Sequence, residues 1–280
     1  MTLPPSVRNG LTSLSQQDDD DFDLCEANLL LAKLLKPSLD LAAYRERINQ
    51  LISDLHKSFE VLKDHQPPLR AKVSALQNLM CAQEGFHGDE DAFNDLDHMN
   101  LACVLDHKCG TALALSMLYI HCAQACGWSV MGLNFPGCSL VCMEDGNQRA
   151  ILDPFQQAAE LDAYTLRQMI KVLGGAEAEL QPLFYDSLSP KTLFIRHLSA
   201  VKSHFLRCDQ LTQGLEILQA LTTLEPQSAA FWRETGLLQA RIGQIDAAID
   251  ALQTALSFTE EEDARRHTRH ILDDLKKKQT

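Results

Sequence analysis

Between Cys109 and Met143 the chain has no Asp, Glu, Lys or Arg, and between Glu84 and Asp106 it has no Lys or Arg. The first gap marks a buried centre. It is not a membrane span, because Gly127 and Asn134-Phe135-Pro136-Gly137 interrupt it and its longest apolar piece carries His121 and Gln124. No piece approaches the roughly 20 apolar residues that cross a bilayer. The second gap holds seven acids, and together with Asp18–Asp21 and Asp23 it gives residues 1–190 an excess of 26 acidic over 13 basic side chains. Such a surface repels phosphate backbones, which argues against nucleic acid as a partner. Residues 191–280 are balanced, with 12 of each sign. No basic n-region and apolar h-region occur in Met1 to Gln17, so a cytoplasmic chain is expected. The nine cysteines include no Cys-x-x-Cys pair. They are expected to be reduced thiols, mostly packed in the core, without metal or cofactor; this covers Cys103, Cys109, Cys122, Cys126, Cys138 and Cys142.

What is present is mainly helical periodicity. Residues 1–23 read as a flexible acidic arm rich in Pro, Ser, Gln and Asp. Apolar residues at helical spacing begin near Leu24 and stop at Pro37. Asp40 then caps a long amphipathic helix that carries Ile48, Leu51, Leu55 and Leu62 on one face. A further helix follows Pro67-Pro68, and Gly85 to Asp97 reads as a polar loop before a short helix near His98–Asp106. Ala112 to Cys126 is apolar nearly all round and ends at Gly127, the pattern of a buried helix with a glycine cap. Ser129–Phe135, Ser139–Met143 and Arg149–Leu152 are short apolar runs separated by turn sequences, as in three antiparallel strands. Helices resume at Asp162, break at Gly174-Gly175, and run from about Lys191 to the end.

The last 90 residues repeat on themselves with a 34-residue period. A shift of that length places Leu198 on Trp232, Gly214 on Ala248 and Leu218 on Leu252. The order Trp232, Gly236, Gly243, Ala248, Leu252, Ala255 resembles the tetratricopeptide pattern, in which small residues let paired helices cross closely. Lys202 stands where that pattern usually has glycine. A final helix near Asp263–Lys278 is expected to cap the two units.

A buried helix followed by short strands is also the order of papain-like and transglutaminase-like hydrolases, where Cys, His and Asp come from helix and strands. Gly110-Thr111-Ala112 opens the helix here, and Gly127 follows Ala112 by 15; Cys138 precedes Asp153-Pro154 by 15. These spacings resemble bacterial transglutaminase-like proteins. The resemblance implies that Ala112, Cys138 and Asp153 occupy the nucleophile, histidine and aspartate positions, so only the aspartate survives. Met99-Asn100-Leu101-Ala102-Cys103, Gly132-Leu133-Asn134-Phe135-Pro136-Gly137 and Arg233-Glu234-Thr235-Gly236 are similar to segments of the bacterial SirB-type family. That family joins a transglutaminase-like core to tetratricopeptide repeats. The implied fold is α+β and mostly helical. Residues 24–190 form N-terminal helices and the transglutaminase-like (papain-like) core with a small antiparallel sheet, and residues 191–280 form an all-α tetratricopeptide-like domain.

The function expected from this is that of a non-catalytic interaction or regulatory protein. The alternative is a residual thiol-dependent hydrolase or acyl transferase acting through Cys138 or Cys109. Tetratricopeptide units line their concave face with positions 2, 5, 9, 12 and 13 of the first helix. With Trp232 at position 4 these are Ala230, Arg233, Leu237, Ala240 and Arg241. One repeat earlier they are Arg196, Ser199, Ser203, Leu206 and Arg207. Four arginines and no acid suit a carboxylate-bearing protein or peptide partner.

Overall fold

The computed structural model describes residues 3–19, 21–89 and 95–279, with side chains to residue 277. Parts of the expected arm (residues 1, 2 and 20) and of the expected acidic loop (residues 90–94) lie outside the described residues. The chain divides into two compact units, Asp18–His197 and Met1–Gln17 with Leu198–Thr280.

In the unit Asp18–His197, helices form where the sequence supplies caps. The Asp23 carboxylate accepts the Glu26 N–H to start α2 (Leu24–Leu35), and Asp40 accepts from Ala42 to start α3 (Leu41–Leu62). α4 (Pro68–Leu76) begins on proline and continues as a π-helical turn, Gln77–Gln83. The short helix expected near His98–Asp106 is two elements, a 3-10 turn Leu96–Met99 and α5 (Leu101–His107), because the Asn100 side chain caps Ala102 and restarts the helix. α6 (Ala112–Ala125) is the buried helix, and Gly127 behind it has the positive φ that its sequence position requires. Tyr119, Leu115, Cys122 and Ala123 on α6 are fully buried.

Around α6 lie two sheets. β1 (His87–Gly88) and β2 (Cys109–Gly110) form a small parallel pair. β3 (Ser129–Leu133), β4 (Val141–Asp145) and β5 (Gln148–Asp153) are the three antiparallel strands that the turn sequences predict. Two-residue edges, β6 (Ala159–Glu160) and β7 (Ser187–Leu188), extend them to the order β6-β5-β4-β3-β7. α7 (Ala163–Gly174) covers one face, where Leu133, Phe135, Leu140, Cys142, Ile151, Leu166 and Ile170 share a core.

The second unit is all helical. α8 (Pro190–Arg207) runs into it from the first unit, and α9 (Leu211–Leu224), α10 (Ala229–Arg241), α11 (Ile245–Phe258) and the capping α12 (Glu262–Gln279) follow. One element differs from the expected flexible arm. Pro5–Ser15 is a helix, α1, which buries Val7, Leu11 and Leu14 and packs against α9. Its apolar residues recur at steps of three and four, a helical face inside a segment whose Ser, Gln and Asp content suggests a loop. No described helix is long and apolar enough to cross a membrane.

Candidate functional site

Hydrogen bonding and strand pairing bring together the elements that carry Ala112, Cys138 and Asp153. The Ser116 hydroxyl, one turn into α6 from Ala112, donates to the Ser139 carbonyl at 2.6 Å and holds the Cys138 segment against the helix. Pairing of Val141 with Leu152 sets β4 beside β5, at whose end Asp153 lies, and the 3-10 turn Pro154–Gln156 rests on α6. Cys138 follows the Pro136-Gly137 turn and precedes β4, whose first link to β3 is the Leu133 N–H to Leu140 carbonyl bond at 3.0 Å.

The chemistry of these three side chains is poor for acyl transfer. Ala112 offers a methyl group at the helix N-terminus, where a cysteine would gain thiolate character. The Cys138 thiol is half-buried against the core beneath α7. Burial pushes its pKa up, and the Asp153 charge adds to that, so the thiol stays protonated. Asp153 is buried, and its Oδ1 accepts the Phe155 N–H at 3.0 Å. Burial raises the Asp153 pKa, partly opposed by the N–H groups of Phe155 and Gln156. Its carboxylate is thus engaged as the cap of the turn that follows it, as an Asp before Pro commonly is.

Sequence reasoning passed over a second group beside these positions. One ligand atom each from Asp89, His98 and Cys109 lies within 4.8 Å of the others. His121, the polar residue in the apolar run, lies with Nδ1 3.7 Å from Asp23 Oδ1; burial lowers its pKa. His197 is buried. Its Nε2–H donates to the Met99 carbonyl at 2.8 Å, and burial pushes its pKa down to about 4.

The residues expected to line the repeat groove divide. Arg196 donates to Asn134 Oδ1 at 2.7 Å, within the first unit. Leu206 touches Gly214 of α9, and Ala240 packs against the α11–α12 core. This position, shared one repeat apart, thus points toward the second helix of its own pair. Ala230, Ser203, Arg207, Leu237 and Arg241 are exposed, while Ser199 and Arg233 are half-buried. These positions themselves hold no acid, but Asp209, in the turn after α8, is 3.0 Å from Arg241 Nη2. Glu234 pairs with the buried Lys202, the residue in the glycine position. Arg233 Nε is buried and meets no acceptor among the described residues. Asp19 of the acidic segment lies 3.6 Å from Lys191, within the first unit.

Comparison with known proteins agrees with this architecture. The signature of the transglutaminase-like superfamily matches residues 42–199, and that of the tetratricopeptide repeat matches residues 202–274. A UPF0162 protein of Xylella fastidiosa (strain Temecula1) is 25% identical over 249 residues, covering 88% of this chain and 87% of that protein. A UPF0162 protein of Vibrio cholerae is 25% identical over 244 residues, covering 87% and 88%. Protein SirB1 of Salmonella typhimurium is 20% identical over 233 residues, covering 83% and 85%. No solved structure matches the chain significantly.

Proposed function

This chain belongs to the transglutaminase-like superfamily, in its SirB-type family with C-terminal tetratricopeptide repeats, and we propose that it is a non-catalytic protein-binding or regulatory component of the cytoplasm. The observation that carries this reading is the state of the three catalytic positions. Ala112 has no nucleophile, Cys138 is a protonated thiol where an imidazole would work, and Asp153 caps a turn. Purified protein is expected to show no thiol-dependent amidase, protease or glutamine-crosslinking turnover. Turnover by the wild type that disappears in Cys138→Ser or Cys109→Ser would establish the rival reading, a residual hydrolase or acyl transferase.

The binding surface in this proposal is the exposed part of α8 and α10. Tetratricopeptide repeats commonly hold protein partners, and the Arg233 guanidinium has a buried Nε without an acceptor among the described residues. A carboxylate of an acidic peptide or chain terminus would supply one, in the forked geometry that arginine favours. Arg207, Arg241 and Leu237 are exposed on the same two helices, and Asp209 would release Arg241 to the incoming acid. Captured partners are identified with wild-type protein as bait, and binding is then compared with Arg233→Glu/Arg241→Glu at fixed salt. At least a tenfold loss of capture is expected. Undiminished capture of the same partner would place the binding surface elsewhere.

A further inference from the structure

We propose that Asp89, His98 and Cys109 form a metal site that takes Zn2+ through one oxygen, one nitrogen and one sulfur, with water as the fourth ligand. The three residues are 9 and 11 positions apart in sequence and come from three separate segments, which backbone pairing brings together. Asp89 follows β1, and the register His87↔Cys109 and Gly88↔Gly110 sets that strand beside β2. The His87 N–H donates to the Lys108 carbonyl at 3.0 Å, and the Thr111 N–H donates to the His98 carbonyl at 3.0 Å. The second bond pins the 3-10 turn carrying His98 to the end of β2. Phe155 closes the other side: its ring lies where a Cβ on Gly88 would sit, so β1 packs directly on the turn after Asp153.

The donors are matched to zinc in type and in number. Thiolate, imidazole and carboxylate are its ordinary protein ligands, and three of them leave one position open. Zinc holds sulfur at about 2.3 Å and nitrogen or oxygen at about 2.0–2.2 Å, so tetrahedral donors stand roughly 3.3–3.6 Å apart. Donor atoms that all lie within 4.8 Å of one another would have to draw in by at most about 1 Å. Asp89, the most exposed of the three, would have to supply that movement by exchanging its present interaction for the metal. His98 has the orienting partner that metal-binding histidines commonly have. Asp95 Oδ1 accepts the Asp97 N–H, and its Oδ2 lies 3.5 Å from His98 Nδ1, a buried nitrogen that makes no hydrogen bond among the described residues. Drawn slightly closer, Asp95 would fix the ring and leave Nε2 for the metal. Cys109 is buried, and burial followed by the charge of Asp89 raises its pKa, so the metal must displace its proton to solvent. This departs from the metal-free thiols expected from sequence, because the pairing of two-residue strands that assembles the site leaves no trace in spacing.

The test uses the full-length protein carrying Cys208→Ser, which removes the exposed thiol. After treatment with a chelator it is titrated with Co2+ and then with Zn2+. The expected result is one equivalent of Co2+ with a thiolate-to-cobalt charge-transfer band, displaced by one equivalent of Zn2+. Affinity should rise with pH as one proton is released. Cys109→Ser should abolish the band, and His98→Ala or Asp89→Asn should weaken binding at least tenfold, with circular dichroism showing each variant folded. The absence of a charge-transfer band in the parent protein would overturn the proposal, as would a band that survives Cys109→Ser.

Discussion

Burial decides the behaviour of the ionisable side chains at the centre of the first unit. His197 is enclosed and donates to a main-chain carbonyl, so it stays neutral to about pH 4, whereas an unfolded histidine protonates near pH 6.5. Between those values the unfolded chain binds the additional proton, so stability is full above about pH 6.5 and falls as pH drops toward 4. At pH 4 the loss from this one group is on the order of 3 kcal/mol. His197→Gln keeps a donor for the Met99 carbonyl and removes the titration. Urea unfolding at pH 7, 5.5 and 4 should therefore show a flatter pH dependence in the variant than in the wild type; parallel curves would refute the assignment. The same physics keeps the Cys138 thiol protonated. A residue type can be read from sequence, but its enclosure depends on neighbours from other segments.

Elements are where the sequence was most legible. Asp40 as a cap, Gly127 as a terminator and Pro136-Gly137 as a turn act locally, and each element they bound lies close to its expected position, whereas the Asp23 cap of α2 lay hidden in a segment read as a flexible arm. The two-residue edges β6 and β7 and the β1–β2 pair were not anticipated, since strands so short have no periodicity of their own. The spacing that Ala112, Cys138 and Asp153 share with transglutaminase-like proteins was legible because it belongs to one helix and the strands that follow it. The Asp89–His98–Cys109 group was not, because its members meet only through tertiary pairing. Among the repeats, the small residues expected to allow close crossing can be tested directly. A Cβ on Gly236 would lie 2.7 Å from Leu252 Cγ and 3.0 Å from the Ala248 carbonyl oxygen. The oxygen belongs to helix backbone and cannot move aside alone. Gly236→Ala gains helix propensity of about 1 kcal/mol but overpacks the α10–α11 crossing, which costs about 1–3 kcal/mol. Net destabilisation in chemical denaturation is expected, and greater for Gly236→Val. A variant as stable as the wild type would mean that the helices separate freely at this crossing.

At the scale of the whole chain, the helical repeat unit is discontinuous in sequence: Met1–Gln17 folds with Leu198–Thr280. α1 sets Val7, Leu11 and Leu14 into the core beside α9, and Leu3, itself buried, donates its N–H to Gln219 Oε1 at 3.2 Å. Each such side chain contributes about 1.5–3 kcal/mol on burial. α1 is thus a structural part of the repeat unit, whatever the acidic residues after it do. Leu11 is 2% exposed, so Leu11→Ala should cost about 2–5 kcal/mol. The chain provides its own reporter, since it has two tryptophans and they fall in different units, Trp128 in the first and Trp232 in the second. Trp232 is half-buried, with its indole N–H donating to the Pro226 carbonyl at 2.8 Å, so its fluorescence follows the packing of α10. In a Trp128→Phe background, Leu11→Ala should lower the thermal midpoint seen through Trp232, and deletion of residues 1–17 should lower it further. If α1 merely rested on the surface, the Trp232 transition would stay where it was in both variants. A shift with Leu11→Ala and none with Ser15→Ala, which removes an exposed hydroxyl that donates to the Thr12 carbonyl and accepts from Gln16 Nε2, would locate the effect in the apolar face of α1.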